Sequence, residues 1–379
     1  MPKNGVRLMD TAGRLTLEEI AVKQQRILEF LRTNGLAGIL LRRRENVAWI
    51  TAGRSDRTIA MPSESAIASV LLLLDGRRIY FSPNNEALRL ADEDFQGLEF
   101  EPVQYGWQEA VTEERMRQWM PKGALASDSH IPGCRVVNIA PLRWQLLPQE
   151  IDRYRRLCRI TTDAAAQVLL NIEPGVTEHE MAARVSYALL REGVEPTVLL
   201  MAVDDRIRSY KHALPRNGVL QRLGMLNFCS RRWGLAASVT RYVHFGLAPD
   251  EFTAKLAATA RVNAALLDAT RRGRNADQCF QVAAENYAAC GFPGEEFSHH
   301  QGGAAGYMER EWVARPGGQE APVSPQVFAW NPYINGAKTE ETVLVQDGKI
   351  EPLTLTESLP IVKTELGNES YESTGLLIR

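Results

Sequence analysis

Phe297-Ser298-His299-His300-Gln301-Gly302-Gly303, followed by Phe328-Ala329-Trp330-Asn331-Pro332 and then by Lys338-Thr339-Glu340-Glu341-Thr342, are the runs that decide how this chain is read. Gly302 and Gly303 permit close approach of backbone to a ligand, although such a pair alone marks only a tight turn. Glu340 and Glu341 are neighbours, and on a strand neighbours point to opposite faces, so one site receives only one of them. Of the chain's six histidines, His244, His299 and His300 lie in or near this region. His212 sits in Tyr210-Lys211-His212-Ala213-Leu214-Pro215, before a predicted strand.

Outward from these runs, the bulk properties narrow the class. A chain of 379 residues fits two domains, each of roughly 100–200 residues. The formal charge of -2 comes from scattered residues, which excludes the one-sided basic field that nucleic acid or an anionic membrane requires and favours a small-molecule substrate. Cys134, Cys158, Cys229, Cys279 and Cys290 show no short paired spacing, which argues against a zinc knuckle and a disulfide framework and points to the cytoplasm. Met1-Pro2-Lys3-Asn4-Gly5 opens no apolar export segment. The longest apolar run, Ala66 to Leu74, is far shorter than the ~20 residues of a membrane-spanning helix.

Thr16-Leu17-Glu18-Glu19 has capping-box spacing and predicts a helix to about Thr33. Gly38–Leu41, Val47–Thr51, Ala66–Leu74 and Arg78–Phe81 read as strands, the last two joined by a turn at Asp75-Gly76. Helical stretches at Glu86–Asp92 and Trp107–Trp119 complete an α/β unit over residues 1–145, and Pro141 to Pro148 reads as a linker. Beyond it, Thr177-Glu178-His179-Glu180 is a capping box in which His179 is a solvated first-turn residue. Gly224–Phe228 and Leu235–Val243 read as paired strands, Asp250–Thr270 and Asp277–Gly291 as helices, and the polar end as a peripheral tail.

This order of elements and motifs resembles the superfamily of methionine aminopeptidase, aminopeptidase P, prolidase and creatinase, over nearly the whole chain. The resemblance implies an α/β N-terminal creatinase-like domain (1–145), an α+β C-terminal domain of pita-bread fold (148–360), a tail (361–379) and a homodimer. Peptidases of this superfamily hold two divalent ions with two aspartates, a histidine and two glutamates. Laid on this sequence, the pattern puts Asn227, Ser238, His300, Asn331 and Glu340 at those positions. Three of the four carboxylate positions hold neutral residues, and hard dications want anionic oxygen donors, so neither metal nor other cofactor is expected.

Creatinase, a metal-free member that hydrolyses a C–N bond, is the precedent, and its histidine aligns with His212. That carry-over makes His212 the general base, as an imidazole titrating near neutrality allows; the alternative is a hydrogen-bonded loop histidine. His300 keeps the family's position as acid or orienter, and its neighbour His299 is expected to face elsewhere. Glu340 would hold a histidine tautomer or accept from a substrate cation, or else pair with Lys338 or an arginine. Asn227, Ser238 and Asn331 become substrate-binding groups. Arg241 follows Thr240 as in the family and would anchor a carboxylate; Arg231 and Arg232 are equally readable as solvated. Tyr307 falls where peptidases have a second histidine and would hydrogen-bond a substrate. Arg57, with Arg54, lies in a loop that in creatinase-like proteins reaches a partner's site, and also reads as a surface turn. Cys229 is favoured as a small buried residue over a nucleophile.

The expected function is therefore a metal-independent, creatinase-like enzyme cleaving a C–N bond of a small nitrogenous metabolite by hydrolysis or elimination. The alternatives are a non-catalytic pseudo-metallopeptidase that binds a peptide or small ligand and, less favoured, a metal-dependent Xaa-Pro peptidase.

Overall fold

A computed structural model of the chain describes residues 11–119 and 122–379; Met1–Gly5, read above for export, lie outside them. The chain divides into two compact units, Met1–Arg143 with Leu147–Ile151, and Trp144–Leu146 with Asp152–Arg379.

The first unit is built on a six-stranded sheet of order β4-β3-β2-β1-β5-β6, comprising β1 (Leu36–Arg43), β2 (Ser65–Leu73), β3 (Arg78–Pro83), β4 (Glu101–Tyr105), β5 (Ala124–Ser127) and β6 (Arg135–Val136). Its apolar strands β1 to β3 pair antiparallel, and Asp75-Gly76 turns the chain as expected. Leu40, Leu71, Ile79, Phe81 and Met116 fill the core on one side. Three local readings change. The first helix spans Thr11–Thr33, so Thr16 is inside it and does not cap it. Val47–Thr51, read as a strand, lies in the helix Arg44–Ile50 and the residue after it; every helix residue is buried, and all-round burial removes the amphipathic period that separates helix from strand. Only Glu113–Arg117 of the Trp107–Trp119 stretch is helical, with the Thr112 side chain accepting from the Arg115 amide.

In the second unit β7 (Glu195–Val203), β8 (Leu223–Arg232) and β9 (Leu235–His244) form an antiparallel run, and β8 and β9 pair Asn227 with Thr240 and Cys229 with Ser238. A second sheet takes the order β11-β10-β12-β15-β16, from β10 (Gly302–Ala305), β11 (Trp312–Val313), β12 (Gln326–Trp330), β15 (Glu341–Gln346) and β16 (Lys349–Pro352), with β13 (Tyr333–Ile334) and β14 (Ala337–Lys338) as a small hairpin between β12 and β15. The helices Asp250–Arg271 and Ala276–Ala289 supply Val262, Leu266, Ala283 and Tyr287 to a core with Phe328, Trp330 and Val343. Thr177 caps the helix Glu178–Leu190 by accepting from the Glu180 amide, as its motif predicts.

Gly302 and Gly303 serve the sheet. A Cβ at Gly302 would stand 2.3 Å from the Ala329 carbonyl oxygen, and one at Gly303 2.1 Å from that of Trp312. The residues are glycine because strand backbones close on them from both sides. The end of the chain is likewise structural and not a peripheral tail: β17 (Ile361–Leu366) pairs β18 (Glu369–Thr374), and β19 (Leu377–Ile378) joins β9 in parallel. Tyr371 is buried, and its hydroxyl donates to Asp268 at 2.8 Å. Polar composition concealed this because the hairpin is largely exposed.

Candidate active site

The β8–β9 hairpin and the chain entering β15 meet edge to edge, with the Thr240 amide donating to the Glu340 carbonyl and Thr342 Oγ1 bridging Ser238. Strand alternation then separates two ion pairs. On one face Glu340 is buried among donors: Arg310 Nη2 at 2.8 Å on Oε1, and Thr240 Oγ1 at 2.7 Å and Asn227 Nδ2 at 2.7 Å on Oε2. Lys338 Nζ stands 3.8 Å from the same carboxylate and donates to Asn227 Oδ1 at 3.2 Å. Burial alone would raise the Glu340 pKa, but Lys338 and Arg310 with the hydrogen bonds bring it down to about 2. Burial lowers that of Lys338, against the pull of Glu340.

On the other face Arg241 Nη2 meets Glu341 Oε2 at 2.7 Å, both fully buried, and the Glu341 carboxylate also accepts from Thr354 Oγ1 and the Thr374 amide. Arg241 donates besides to the carbonyls of Thr240, Glu340 and Thr354. It is therefore a buried clamp and not the expected carboxylate anchor, because position 241 projects away from the face that carries Thr240.

His212, in the loop after the short helix Asp205–Ser209, comes to His299 and not primarily to Glu340: the two Nε2 atoms are 3.0 Å apart. His299 Nδ1 lies 2.6 Å from the His300 carbonyl, and the rings of His299 and His300 stack at 4.4 Å. His300 Nδ1 accepts from the Gly302 amide at 3.2 Å. One ring nitrogen of each of the three lies within 4.8 Å of the others. Desolvation, with Lys338 and neighbouring imidazoles, lowers His299 to about 3, and desolvation with Arg310 and Lys338 lowers His300 to about 4. His212 is lowered for the same leading reason. All three are neutral imidazoles at neutral pH.

The histidine loop is held from behind. Gln301 donates to the carbonyls of His299 and Glu296 and accepts from the Tyr287 hydroxyl, which itself accepts from the Tyr333 amide. Lys211 ties the His212 loop to the carbonyl of Ser298.

The remaining residues fall as follows. Ser238 Oγ contacts Arg310 Nη1 at 3.2 Å and Cys229 Sγ at 3.1 Å. Burial pushes the Cys229 thiol up to about 12, which suits a structural residue. Asn331 is buried with Oδ1 lacking a partner among the described residues. Tyr307 is fully buried, its amide donating to Glu311, and Arg57 lies in the first unit 3.7 Å from Asp56. Asn227 was expected to offer hydrogens to a substrate, but its amide hydrogens go to Glu340, Thr240 and Val239.

Sequence reasoning missed Arg310 and misassigned His299. Lys338 is two residues before Glu340, so alternation was a signal for a shared face. Nothing local marks Arg310, whose partners Ser238 and Glu340 are remote in sequence.

A two-metal centre does not fit this donor set. The ammonium of Lys338 and the guanidinium of Arg310 donate into Asn227, Ser238 and Glu340, the groups that would have to turn their oxygens toward dications.

The topology and the hairpin-borne site define a pita-bread protein of the creatinase, aminopeptidase P and prolidase superfamily. Residues 152–347 match the model of metallopeptidase family M24, and the chain belongs to that family. It is 23% identical over 359 residues to a Xaa-Pro dipeptidase of Pyrococcus horikoshii, covering 88% of this chain and 97% of that protein. In fold it is similar to dipeptidase PepE from Mycobacterium ulcerans, with a TM-score of 0.73, 17% identity and coverage of 90% and 97%. The prolidase from Pyrococcus horikoshii gives a TM-score of 0.72 at 18% identity, with coverage of 88% and 98%. Among the described residues no helix is long and apolar enough to cross a membrane.

Proposed function

We propose that this chain cleaves a C–N bond in a small nitrogenous metabolite without the two metal ions of its family, with His212 as general base. The observation that carries the reading is the convergence of Lys338 and Arg310 on Glu340, where two dications would otherwise be held. Family membership supports hydrolysis of a C–N bond as the reaction type.

The hydrogen bonds assign the protons. His299 Nδ1 faces a carbonyl and carries its hydrogen, so His299 Nε2 is an acceptor and His212 Nε2 donates to it. The lone pair of neutral His212 is then on Nδ1. There it takes a proton from water as the water oxygen attacks the carbon, and it returns that proton to the departing nitrogen as the C–N bond breaks. His300 accepts at Nδ1 and so carries its hydrogen on Nε2. A neutral imidazole holds that proton near pH 7, so His300 donates a hydrogen bond to developing negative charge and is not a general acid. Asn331 Oδ1 is free to accept from a substrate N–H. Glu340 with Lys338 and Arg310 leaves one net positive charge, which favours a substrate carrying an anionic group.

A second reading, a metal-dependent Xaa-Pro dipeptidase, is favoured by the name and coverage of the Pyrococcus horikoshii relative; the donor set opposes it. The deciding experiment is turnover of amides, amidines and Xaa-Pro dipeptides in the presence of EDTA. Turnover that survives EDTA and falls ~10²–10⁴-fold in His212→Ala supports the proposal. Turnover that appears only on adding manganese or cobalt would sink it in favour of the dipeptidase, and none under any condition would leave a binding protein.

A further inference from the structure

We propose that His212, His299 and His300 form a site for a single borderline transition-metal ion, sharing only His300 with the family's two-metal position, and that this ion inhibits the enzyme. Three imidazoles converge with ring nitrogens within 4.8 Å of one another, and imidazole sets of this kind suit zinc, copper and nickel above magnesium or calcium. His299 is already dressed as a ligand. Its Nδ1–H donates to the His300 carbonyl and turns the Nε2 lone pair outward, the arrangement that orients metal-bound histidines. His212 Nε2, 3.0 Å away, takes the opposite side. His300 joins by giving up its long 3.2 Å acceptance from the Gly302 amide or by turning its ring over. His212 and His300 are exposed to solvent, which gives an ion a way in.

The inhibitory consequence rests on the reading of His212 as base. An ion between His212 Nε2 and His299 Nε2 replaces the hydrogen now shared there, and that hydrogen moves to His212 Nδ1. The lone pair that would take a proton from water is then gone. Metal thus acts in the opposite sense to that expected of a metallopeptidase. Lys338 and Arg310 repel the ion and hold its affinity below that of an anionic site.

The test separates binding from catalysis. Metal-free protein is titrated with cobalt(II), followed by its visible absorption, and dialysed against zinc(II) for stoichiometry, both without substrate. One ion per chain is expected, with binding weakened at least tenfold in His299→Ala and in His212→Ala and retained in Glu340→Gln. No binding to wild type overturns the site, as does binding that survives both histidine variants but is lost in Glu340→Gln. Turnover with and without zinc then tests inhibition; if zinc occupies the histidines and activity is unchanged, the inhibitory role fails while the site stands.

Discussion

Asn227 Nδ2 donates to Glu340 Oε2 across 2.7 Å, joining the β8–β9 hairpin to the start of β15. The same amide presents its oxygen to Lys338, so both ends of one neutral side chain read opposite charges. An aspartate could not do this, since it has no hydrogen for Glu340.

Asn227→Asp therefore sets oxygen against oxygen at that contact. The expected loss is about 1–3 kcal/mol of stability, the cost of an unmatched buried polar group. It should be larger at pH 8 than at pH 5, because protonating one carboxyl relieves the repulsion. Urea midpoints at the two pH values measure it; equal midpoints for variant and wild type would show that Lys338 absorbs the added charge.

Part of the acid sensitivity should trace to His299, beside His300, which burial lowers to about 4. The folded pKa of His299, about 3, lies below its ordinary 6.5, so the unfolded chain binds the extra proton between these values. Stability from this group is full above pH 6.5 and falls as pH drops toward 3. His299→Gln should reduce the slope of stability against pH by one proton between pH 4 and 6, about 1.4 kcal/mol per pH unit. Chemical denaturation across that range gives the slope, and an unchanged one rules out His299 as the source.

Gly303→Ala drives a methyl into the Trp312 carbonyl, 2.1 Å from where the Cβ would stand. Overpacking costs typically ~1–3 kcal/mol, occasionally more, and backbone cannot step aside as a flexible side chain can, so a loss at or above the upper end is expected. A melting temperature within two degrees of wild type, on the order of the shift from ~1 kcal/mol in large domains, would contradict the strand geometry.

Arg241→Met leaves Glu341 buried without its guanidinium and should cost about 3–5 kcal/mol. The double variant Arg241→Met/Glu341→Gln should recover part of it, since the stranded charge is gone. Absence of coupling in this double-mutant cycle, read from denaturation midpoints, would restore Arg241 as a candidate substrate anchor.

Much of this molecule was legible in order. Leu235–Val243 reads as a strand, Thr177 caps its helix, and the His300 and Glu340 runs fall in the expected sequence, because these features depend on neighbours within a few residues. The helix at Arg44–Ile50 was illegible because burial on all sides erases periodicity. The closing hairpin was illegible because most of its exposed residues look like a tail, while Tyr371 and Ser373 are buried and Leu366 packs against the core.

The amino-acid sequence by itself determined the two-unit order, the pita-bread family and neutral Asn227, Ser238 and Asn331 where the resemblance implies anionic metal ligands, since composition at named positions needs no coordinates. Only the tertiary structure decided what replaced them. Arg310 reaches Glu340 from another loop, His299 turns to His212, and Arg241 turns away to Glu341. Such long-range pairings follow from the chain's closure in three dimensions, which no local spacing encodes.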